Sequence, residues 1–301
     1  MTAAEVGLPA RGPLPASLRR LVAWLQNPWG RARLLWVVAL GYVIWALVPV
    51  AVAVLFSFNA GRSISVWQGF STRWYAGDVN SVWQNPSLRT ALVNTMRLAG
   101  LTVVIAVPLG VALAIALDRW RGRGSGASNF LMLFSFVTPE LAIAIALFLF
   151  FAQLLTFVSL GLQAQLLGLS MFEIAYPTIV VRARLASIPR DYEEAAMDLG
   201  ASPGQALRRV LLPMLAPAVF ASAAIVFATT LDDFVIAQQV NLNASTQTIP
   251  ILIYSSARVG PLPSLNALAS LTLVLSTLVI GLAVLVYRRS TRGERRRGEG
   301  R

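Results

Sequence analysis

Residues 217–236 read PAVFASAAIVFATTLDDFVI, and this stretch decides the fold class. A helix needs about 20 mostly apolar residues to cross roughly 30 Å of hydrocarbon. The first fifteen residues of the stretch contain no charged side chain, and Asp232 and Asp233 follow them directly. A carboxylate at the centre of a membrane helix costs about 2.5–3.5 kcal/mol even on lenient insertion scales. The stretch therefore predicts a membrane span in which two carboxylates require an explanation.

The composition of the whole chain is that of an integral membrane protein. Of its 301 residues 56% are hydrophobic and only 13% are charged, with a mean hydropathy of +0.67. Soluble domains average about 45–50% apolar and 25% charged residues. All 25 basic residues are arginine, and lysine, cysteine and histidine are absent. The usual general base, zinc ligand, thiol nucleophile and P-loop lysine are therefore missing, so we expect no enzyme, no metal site and no cofactor.

Six apolar segments predict an all-α integral membrane fold with six transmembrane helices. The predicted spans are Leu34–Phe56, Ala91–Leu117, Phe130–Phe151, Leu166–Val181, Met214–Ile236 and Leu268–Tyr287. The fourth span is short and contains Glu173.

The distribution of arginines predicts how these spans are oriented, because loops rich in arginine remain in the cytoplasm. Twenty of the 25 arginines lie in residues 1–33, in the connections 118–129 and 182–213, and after residue 287. We therefore predict that both termini are cytoplasmic. The tail 288–301 is predicted to be disordered, with attraction to anionic membrane lipid rather than to nucleic acid as its main interaction.

The connection between the fourth and fifth spans carries the signals of a helix, a turn and a second helix. Its sequence from residue 187 to residue 217 is SIPRDYEEAAMDLGASPGQALRRVLLPMLAP. Asp191 and Glu194 have the spacing of a capping box, so a short helix is predicted to begin there. Gly200 is predicted to end that helix, because glycine adopts the left-handed turn without a side-chain penalty. Residues 202–205 then form a second cap, and a second helix is predicted to run into Pro213.

The same loop resembles a known family motif. Glu194-Ala195-Ala196, three residues, Gly200, nine residues, Val210, one residue and Leu212-Pro213 are similar, without a gap, to the EAA loop of ATP-binding-cassette importer permeases. In that family the loop forms a coupling helix that sits in a cleft of a separate ATP-binding subunit. The resemblance implies a coupling site formed by Glu194, Ala195, Ala196 and Gly200, with Arg208 and Arg209 as ion-pairing neighbours.

Further stretches resemble one branch of these permeases, the spermidine/putrescine importers, and are closest to its second-permease type. They are SFNAGRSISVWQGFSTRWY at 57–75, LDDFVIAQQV at 231–240 and IPILIYSSARVGPLPSLNALASLTLVLS at 249–276. The likeness implies a six-span permease domain over residues 34–287, with the EAA loop at about 182–213, in a bacterial inner membrane. It also implies three kinds of partner: two ATPase subunits, a second permease and an extracytoplasmic substrate-binding protein. The same branch serves 2-aminoethylphosphonate and related amines.

The acids at membrane level are candidates for the translocation path of a cationic cargo. They are Glu140, Glu173, Asp232 and Asp233. Carboxylates along the path offset the hydration that a polycation loses on leaving water. Asp232 and Asp233 are about 100° apart on a helix, so both cannot face one pore axis. The alternatives for this pair are a buried structural hydrogen-bond role and a plain interfacial position.

Glu140 follows Pro139, which is predicted to kink the third span and to open a polar pocket there, or else to form a solvated kink. Arg97 lies inside the second span and needs either an acidic partner or a route to the interface. Four aromatic residues are predicted to be interfacial anchors or part of a contact with a binding protein; they are Trp67, Trp74, Tyr75 and Trp83.

A secondary transporter or channel driven by an ion gradient is the alternative from another class. It accounts for the intramembrane acids, but it leaves the loop around Gly200 without a purpose, and no inverted repeat is visible in the sequence.

Overall fold

A computed structural model describes Pro15, residues 33–119, Gly126, Ala127, Phe130, Phe134, residues 137–259 and residues 263–298. Only the backbone is described for residues 33–34, 258–259 and 286–298. The predictions for residues 1–32, for most of 120–136 and for residues 299–301 lie outside the described residues. The tail from residue 288 to residue 298 is described as the end of a helix, which differs from the predicted disorder. The chain separates into two units, residues 1–52 and 53–301. In the first unit the described chain from residue 33 onward is a continuous apolar helix.

The described residues are helical throughout, apart from loops and one isolated bridge between Asn59 and Phe70. The longer helices are α1 (Arg33–Phe56), α2 (Pro86–Arg119), α8 (Leu212–Asp232) and α11 (Pro263–Gly298). The shorter helices are α3 (Glu140–Leu149), α4 (Leu162–Glu173), α5 (Ala175–Leu185), α6 (Asp191–Asp198), α7 (Pro203–Ala206), α9 (Val235–Gln239) and α10 (Ile249–Val259). Two π-helical turns, Phe150–Leu154 and Leu207–Leu211, and a 3₁₀ turn, Ala244–Thr246, complete the described elements.

The prediction of an all-α membrane fold is confirmed. Five helical stretches are long and apolar enough to cross a membrane, and a shorter apolar helix, Glu140–Leu154, overlaps the second half of the predicted third span and ends three residues beyond it. The five are Leu35–Phe56, Pro86–Arg119, Leu162–Leu185, Pro203–Asp232 and Pro263–Leu285. The orientation of the termini stays a prediction.

Two boundaries differ from the prediction for physical reasons. The fourth span is longer than predicted and is interrupted at Ile174, between α4 and α5. The second helix of the EAA loop does not stop at Pro213 but runs on as α8 to Asp232. Proline is tolerated there because it lies at the start of α8, directly after the π turn Leu207–Leu211, where the backbone hydrogen-bond pairing has already shifted by one residue.

Helix α2 is central to the second unit and packs against α4, α5 and α8. It approaches α5 closely at Gly110, where a side chain has no room. A Cβ atom built on Gly110 would lie 2.4 Å from Cγ of Pro177 and 2.8 Å from the carbonyl oxygen of Ile174. The hydroxyl of Thr178 also donates to the carbonyl of Gly110 at 3.2 Å. This contact fixes the crossing of α2 and α5.

The loop between α1 and α2 is folded around Trp74, so the interfacial-anchor prediction is wrong for this residue. Its ring is 0% exposed, and its Nε1–H donates to the carbonyl oxygen of Asn59 at 2.6 Å. In the sequence Trp74 stands among aromatic residues beside a span, which is typical of an interfacial anchor. In the structure its ring is buried because it packs against residues of α2, α10 and α11. Its apolar neighbours in the core are Val82, Leu88, Ala91, Ile249, Leu265, Ala267 and Leu268. Trp67 and Trp83 are exposed, and for them the prediction stands untested.

An ion pair between Arg73 and Asp78 stabilises the same loop. The guanidinium of Arg73 donates to Oδ2 of Asp78 at 2.7 Å and lies 4.5 Å from the ring centroid of Trp74. The backbone N–H of Asn80 donates to Oδ1 of Asp78 at 2.9 Å. The hydrogen bond from Asn80 and the charge of Arg73 hold the pKa of Asp78 below its ordinary value.

Candidate coupling surface and membrane-level acids

Helix α6 begins at Asp191, but the predicted capping box of Asp191 and Glu194 is wrong. The residue at the N-cap position is Arg190, and no side chain caps the helix. The reason is that Arg190 already has helical dihedral angles, φ −67° and ψ −21°, which place Asp191 inside the first turn. Asp191, Glu193 and Glu194 all lie in that turn, where acidic side chains interact favourably with the helix dipole.

The end of α6 matches the prediction for Gly200. The residue has φ +90°, and its N–H donates to the carbonyl of Met197 at 2.9 Å. The N–H of Ala201 donates to the carbonyl of Ala196 at 3.0 Å. These two bonds form a Schellman motif, in which a left-handed residue closes the helix. The prediction that Gly200 ends the first helix is confirmed.

The second predicted cap is confirmed as well. Oγ of Ser202 accepts from the N–H of Gln205 at 3.3 Å, and Oε1 of Gln205 accepts from the N–H of Ser202 at 3.0 Å. Pro203 occupies the first helical turn, where its missing N–H costs nothing. The EAA loop is therefore helix α6, a tight turn at Gly200 and a capped helix that continues through α8.

The face of α6 around the turn is open to contact. Glu194, Ala195 and Gly200 are exposed, and Ala196 is half-buried. Apolar side chains on the same short element are exposed too; they are Tyr192, Met197 and Leu199, the last being 90% exposed. Such a cluster of apolar side chains beside an acid is typical of a surface that a partner covers.

Arg208 and Arg209 are exposed on the π turn that follows α7. The salt bridges between the described side chains include neither of them, nor Glu194. Their predicted role as ion-pairing neighbours stays a prediction.

Ion pairs between α6 and the end of α2 were not anticipated from the sequence. Arg119 forms a salt bridge with Glu193, and Arg190 lies 3.9 Å from Oδ2 of Asp118 and donates to the Asp118 carbonyl at 3.2 Å. Arg119 also contacts Asp118 at 3.1 Å, so the four side chains form one network. We call it the α2–α6 ion-pair network. Its two members on α2 pair with residues more than 70 positions later in the chain, so spacing along the chain carries no signal for it.

Glu140 lies at the start of a helix rather than at a kink, which corrects the prediction for Pro139. Pro139 has ψ 128°, an extended conformation, and Glu140 is the first residue of α3. The preceding Thr138 bends back, its hydroxyl donating to the carbonyl of Phe134 at 2.8 Å. A proline at the start of a helix leaves no internal hydrogen bond unmade, so a new helix begins there.

Glu173 and Asp233 also lie where helices are interrupted. Glu173 is the last residue of α4; it is 2% exposed, and its Oε2 accepts from the Thr229 hydroxyl at 2.9 Å. Asp233 ends α8 in an extended conformation, and its Oδ1 accepts from the N–H of Ala237 at 2.9 Å. Discontinuous helices of this kind supply polar groups at membrane depth where they line a cavity or are buried in protein.

Three of the four predicted path acids lie within electrostatic range of one another. The carboxyl groups of Asp233 and Glu140 are close enough to interact, and both lie within electrostatic range of Glu173. Asp232 is exposed on the last turn of α8. We call Glu140, Glu173 and Asp233 the acid cluster. Within the described residues no three acids are close enough to hold a metal ion.

Apolar helices that cross the membrane, broken at internal acids and joined to a capped surface helix, define a polytopic transport subunit. The family model of the binding-protein-dependent transport system inner membrane component matches residues 106–292. The chain belongs to this family, and it is therefore a multi-pass membrane component of a bacterial transport system.

Curated relatives match over most of the chain. The putrescine transport system permease protein PotI of Escherichia coli K12 is 32% identical over 254 residues, which are 83% of this chain and 87% of PotI. The spermidine/putrescine transport system permease protein PotC of the same strain is 33% identical over 246 residues, 82% of this chain and 90% of PotC.

Solved structures share the fold at low sequence identity. A bacterial ABC transporter involved in the import of the acidic polysaccharide alginate aligns with a TM-score of 0.63 at 17% identity, covering 90% of this chain and 99% of the other. The inward-facing MetNI methionine ABC transporter aligns with a TM-score of 0.53 at 20% identity, covering 67% of this chain and 93% of the other. These likenesses establish the fold of an ABC transporter membrane subunit.

Proposed function

We propose that this chain is a permease subunit of an ATP-driven importer that carries a polyamine such as putrescine or spermidine. The observation that carries the proposal is the identity to two polyamine permeases over more than four-fifths of the chain. In this proposal the chain does not itself hydrolyse ATP. It works with a second permease, two ATP-binding subunits and an extracytoplasmic substrate-binding protein, and both of its termini are cytoplasmic.

In the proposed coupling between ATP hydrolysis and transport, different parts of the EAA loop have different roles. The exposed face of α6, with Glu194, Ala195 and Gly200, meets the ATP-binding subunit. A displacement of α6 then reaches two spans by two routes. The α2–α6 ion-pair network links it to the end of α2. The capped helix Pro203–Asp232 links it to α8 without a break in the helix.

The π turn Leu207–Leu211 lies on the second route, between the EAA loop and the span. A π turn carries weaker, longer-range backbone pairing than the α-helix around it and is often found at functional sites. In this proposal α8 changes direction at this turn during the transport cycle.

The acid cluster is the proposed polyamine contact in the membrane. A diamine or triamine loses hydration on entering the path, and carboxylates in a low-dielectric setting offset that loss. Because Glu140, Glu173 and Asp233 each end or begin a helix segment, a shift of any of these segments changes the distance between the carboxylates. The affinity of the cluster for a cation would then differ between the two states of the transporter, which transport requires.

Asp232 has a different place in the proposal, since it is exposed on the last turn of α8. The same architecture would serve 2-aminoethylphosphonate or another small amine, and this is the nearest alternative cargo. A secondary transporter driven by an ion gradient is not favoured, because the chain belongs to a family of binding-protein-dependent systems.

Asp233→Asn and Asp232→Asn form a matched pair that tests the proposed path. Both keep the size of the side chain and delete one charge from neighbouring positions. We expect Asp233→Asn to reduce uptake of putrescine and spermidine by the assembled importer, and Asp232→Asn to leave it close to wild type. Uptake into proteoliposomes, normalised to the amount of assembled complex, measures both. Equal uptake by the two variants and the wild type would remove the acid cluster from the path.

A further inference from the structure

A cleft between α2 and α4 has a chemistry that neither the coupling loop nor the acid cluster explains. It has a volume of about 300 Å³ and is lined by Arg97, Leu98, Leu101, Leu162, Gln163 and Leu166. The two helices pack against each other along this side. Two polar side chains and four leucines therefore share one cleft.

Arg97 supplies a positive charge with no acidic partner in the described part of the chain. The salt bridges there do not include it, and its side chain is exposed. It lies 21 residues before Asp118 on α2, about 31 Å along a helix that rises 1.5 Å per residue. This length equals the roughly 30 Å hydrocarbon thickness of a bilayer. If the ion pairs of Asp118 mark one boundary of the membrane, Arg97 lies at the other, at the level of the lipid head groups.

Gln163 presents further donors to the same cleft. Its Oε1 accepts from the hydroxyl of Ser159 at 2.8 Å and from the Ser159 N–H at 3.3 Å. The amide oxygen is thus occupied, while the Nε2 donors make no hydrogen bond within the described residues. A guanidinium has five N–H donors and no acceptor, so the polar end of the cleft consists of donors and suits an anion.

The apolar residues extend from that polar end toward the middle of the spans. Leu101 follows Arg97 by one turn of α2, and Leu166 follows Gln163 by about one turn of α4. Both helices run from the polar end into the membrane. Leu98 and Leu162 lie beside the donors, while Leu101 and Leu166 lie about one turn deeper, which is the order of phosphate and acyl chain in a phospholipid.

We propose that this cleft binds a phospholipid, with its phosphate at Arg97 and Gln163 and one acyl chain along Leu101 and Leu166. A phosphate and a guanidinium form charge-assisted hydrogen bonds, and an arginine at the membrane boundary gains a partner that replaces lost water. The acyl chain covers leucine surface between two packed helices. An anionic lipid is favoured over a zwitterionic one, because no acid in the cleft offsets the charge of Arg97.

Binding of phosphatidylglycerol to the purified importer complex, followed by native mass spectrometry during titration, tests the site. Arg97→Gln is compared with Arg89→Gln, which removes the same charge from an exposed position of the same helix outside the cleft. We expect the lipid to bind at least about tenfold more weakly to Arg97→Gln, because the variant loses the charge-assisted hydrogen bonds between the guanidinium and the phosphate. Arg89→Gln is expected to bind like the wild type.

A second variant tests the apolar half while keeping the charge. Leu101→Trp fills the cleft with a larger ring and is expected to weaken lipid binding as well. This variant keeps the proposal testable if Arg97→Gln fails to assemble. Co-purification of the second permease is recorded for each variant.

Three results would overturn the proposal. The first is that Arg97→Gln and Arg89→Gln bind the lipid equally well, because Arg97 would then have no role in binding. The second is that inorganic phosphate competes for the cleft as strongly as the lipid does at equal concentration, because the cleft would then be a small-anion site. Loss of the second permease with unchanged lipid binding would show instead that this face is a protein interface.

Discussion

Replacement of Gly200 by a residue with a side chain probes the turn on which the coupling proposal depends. The residue has φ +90°, and a Cβ atom built there meets no heavy atom within 4 Å. The cost of Gly200→Ala is therefore conformational rather than steric, about 1–2 kcal/mol for a left-handed L-residue. Gly200→Val costs more, because a β-branched side chain is further restricted in this region. The population of the observed turn is expected to fall about 5–30-fold for alanine.

Gly204→Ala is the matched control. Gly204 also has open space around its Cβ position, but it lies in helix α7 and its φ is not positive. Alanine is favoured over glycine in a helix by about 1 kcal/mol, so the control is expected to be neutral or slightly stabilising.

The assay is the amount of cargo transported per ATP hydrolysed in the reconstituted importer, together with co-purification of the ATP-binding subunit. We expect Gly200→Val to insert and assemble, since no span is altered, and to transport much less cargo per ATP. Gly200→Ala should lie between Gly200→Val and the wild type. Wild-type coupling by correctly assembled Gly200→Val protein would refute the role assigned to the turn.

Three further predictions concern other contacts. Arg119→Gln and Glu193→Gln should each reduce transport per assembled complex, and the double variant should lose little more than the larger single loss, because both changes remove the same ion pair; fully additive losses would contradict a role for the two residues as a pair. Gly110→Ala should lower the yield and thermal stability of assembled protein by an overpacking cost of about 1–3 kcal/mol, while Gly100→Ala, which meets no atom within 4 Å, should not. Because its pKa is lower in the folded loop than in the unfolded chain, Asp78 contributes stability that is complete above the unfolded pKa of about 3.9 and is lost as the pH falls through the folded pKa. Limited proteolysis of the loop should therefore accelerate in that acidic range, and Asp78→Asn should remove much of this dependence.

The fold class was predictable because the apolar runs have the length that a bilayer demands. Helix ends in the EAA loop were predictable where one residue type is strongly preferred, as at Gly200 and in the cap formed by Ser202 and Gln205. The prediction failed at Asp191, since the conformation of Arg190 depends on what precedes it and not on the acid spacing. It failed at Trp74 because burial there is produced by helices that follow much later in the chain.

The arrangement of the acids could be predicted only in part. All three members of the acid cluster were recognised as intramembrane acids, which are functional candidates by default. That Glu140 lies near Asp233 and that Asp232 is exposed depends on where helices break, and such breaks follow from packing between distant segments. The α2–α6 ion-pair network was missed for the same reason, because its partners have no sequence relationship to each other.

The most direct test of the central claim is the ATPase activity and uptake of the complete importer, reconstituted with its binding protein and scanned over cargo. The cargoes are putrescine, spermidine, 2-aminoethylphosphonate and a neutral sugar. We predict that polyamines stimulate ATP hydrolysis and are taken up only when ATP is present. Stimulation by the neutral sugar alone, or uptake of a polyamine driven by an ion gradient without ATP, would contradict the account.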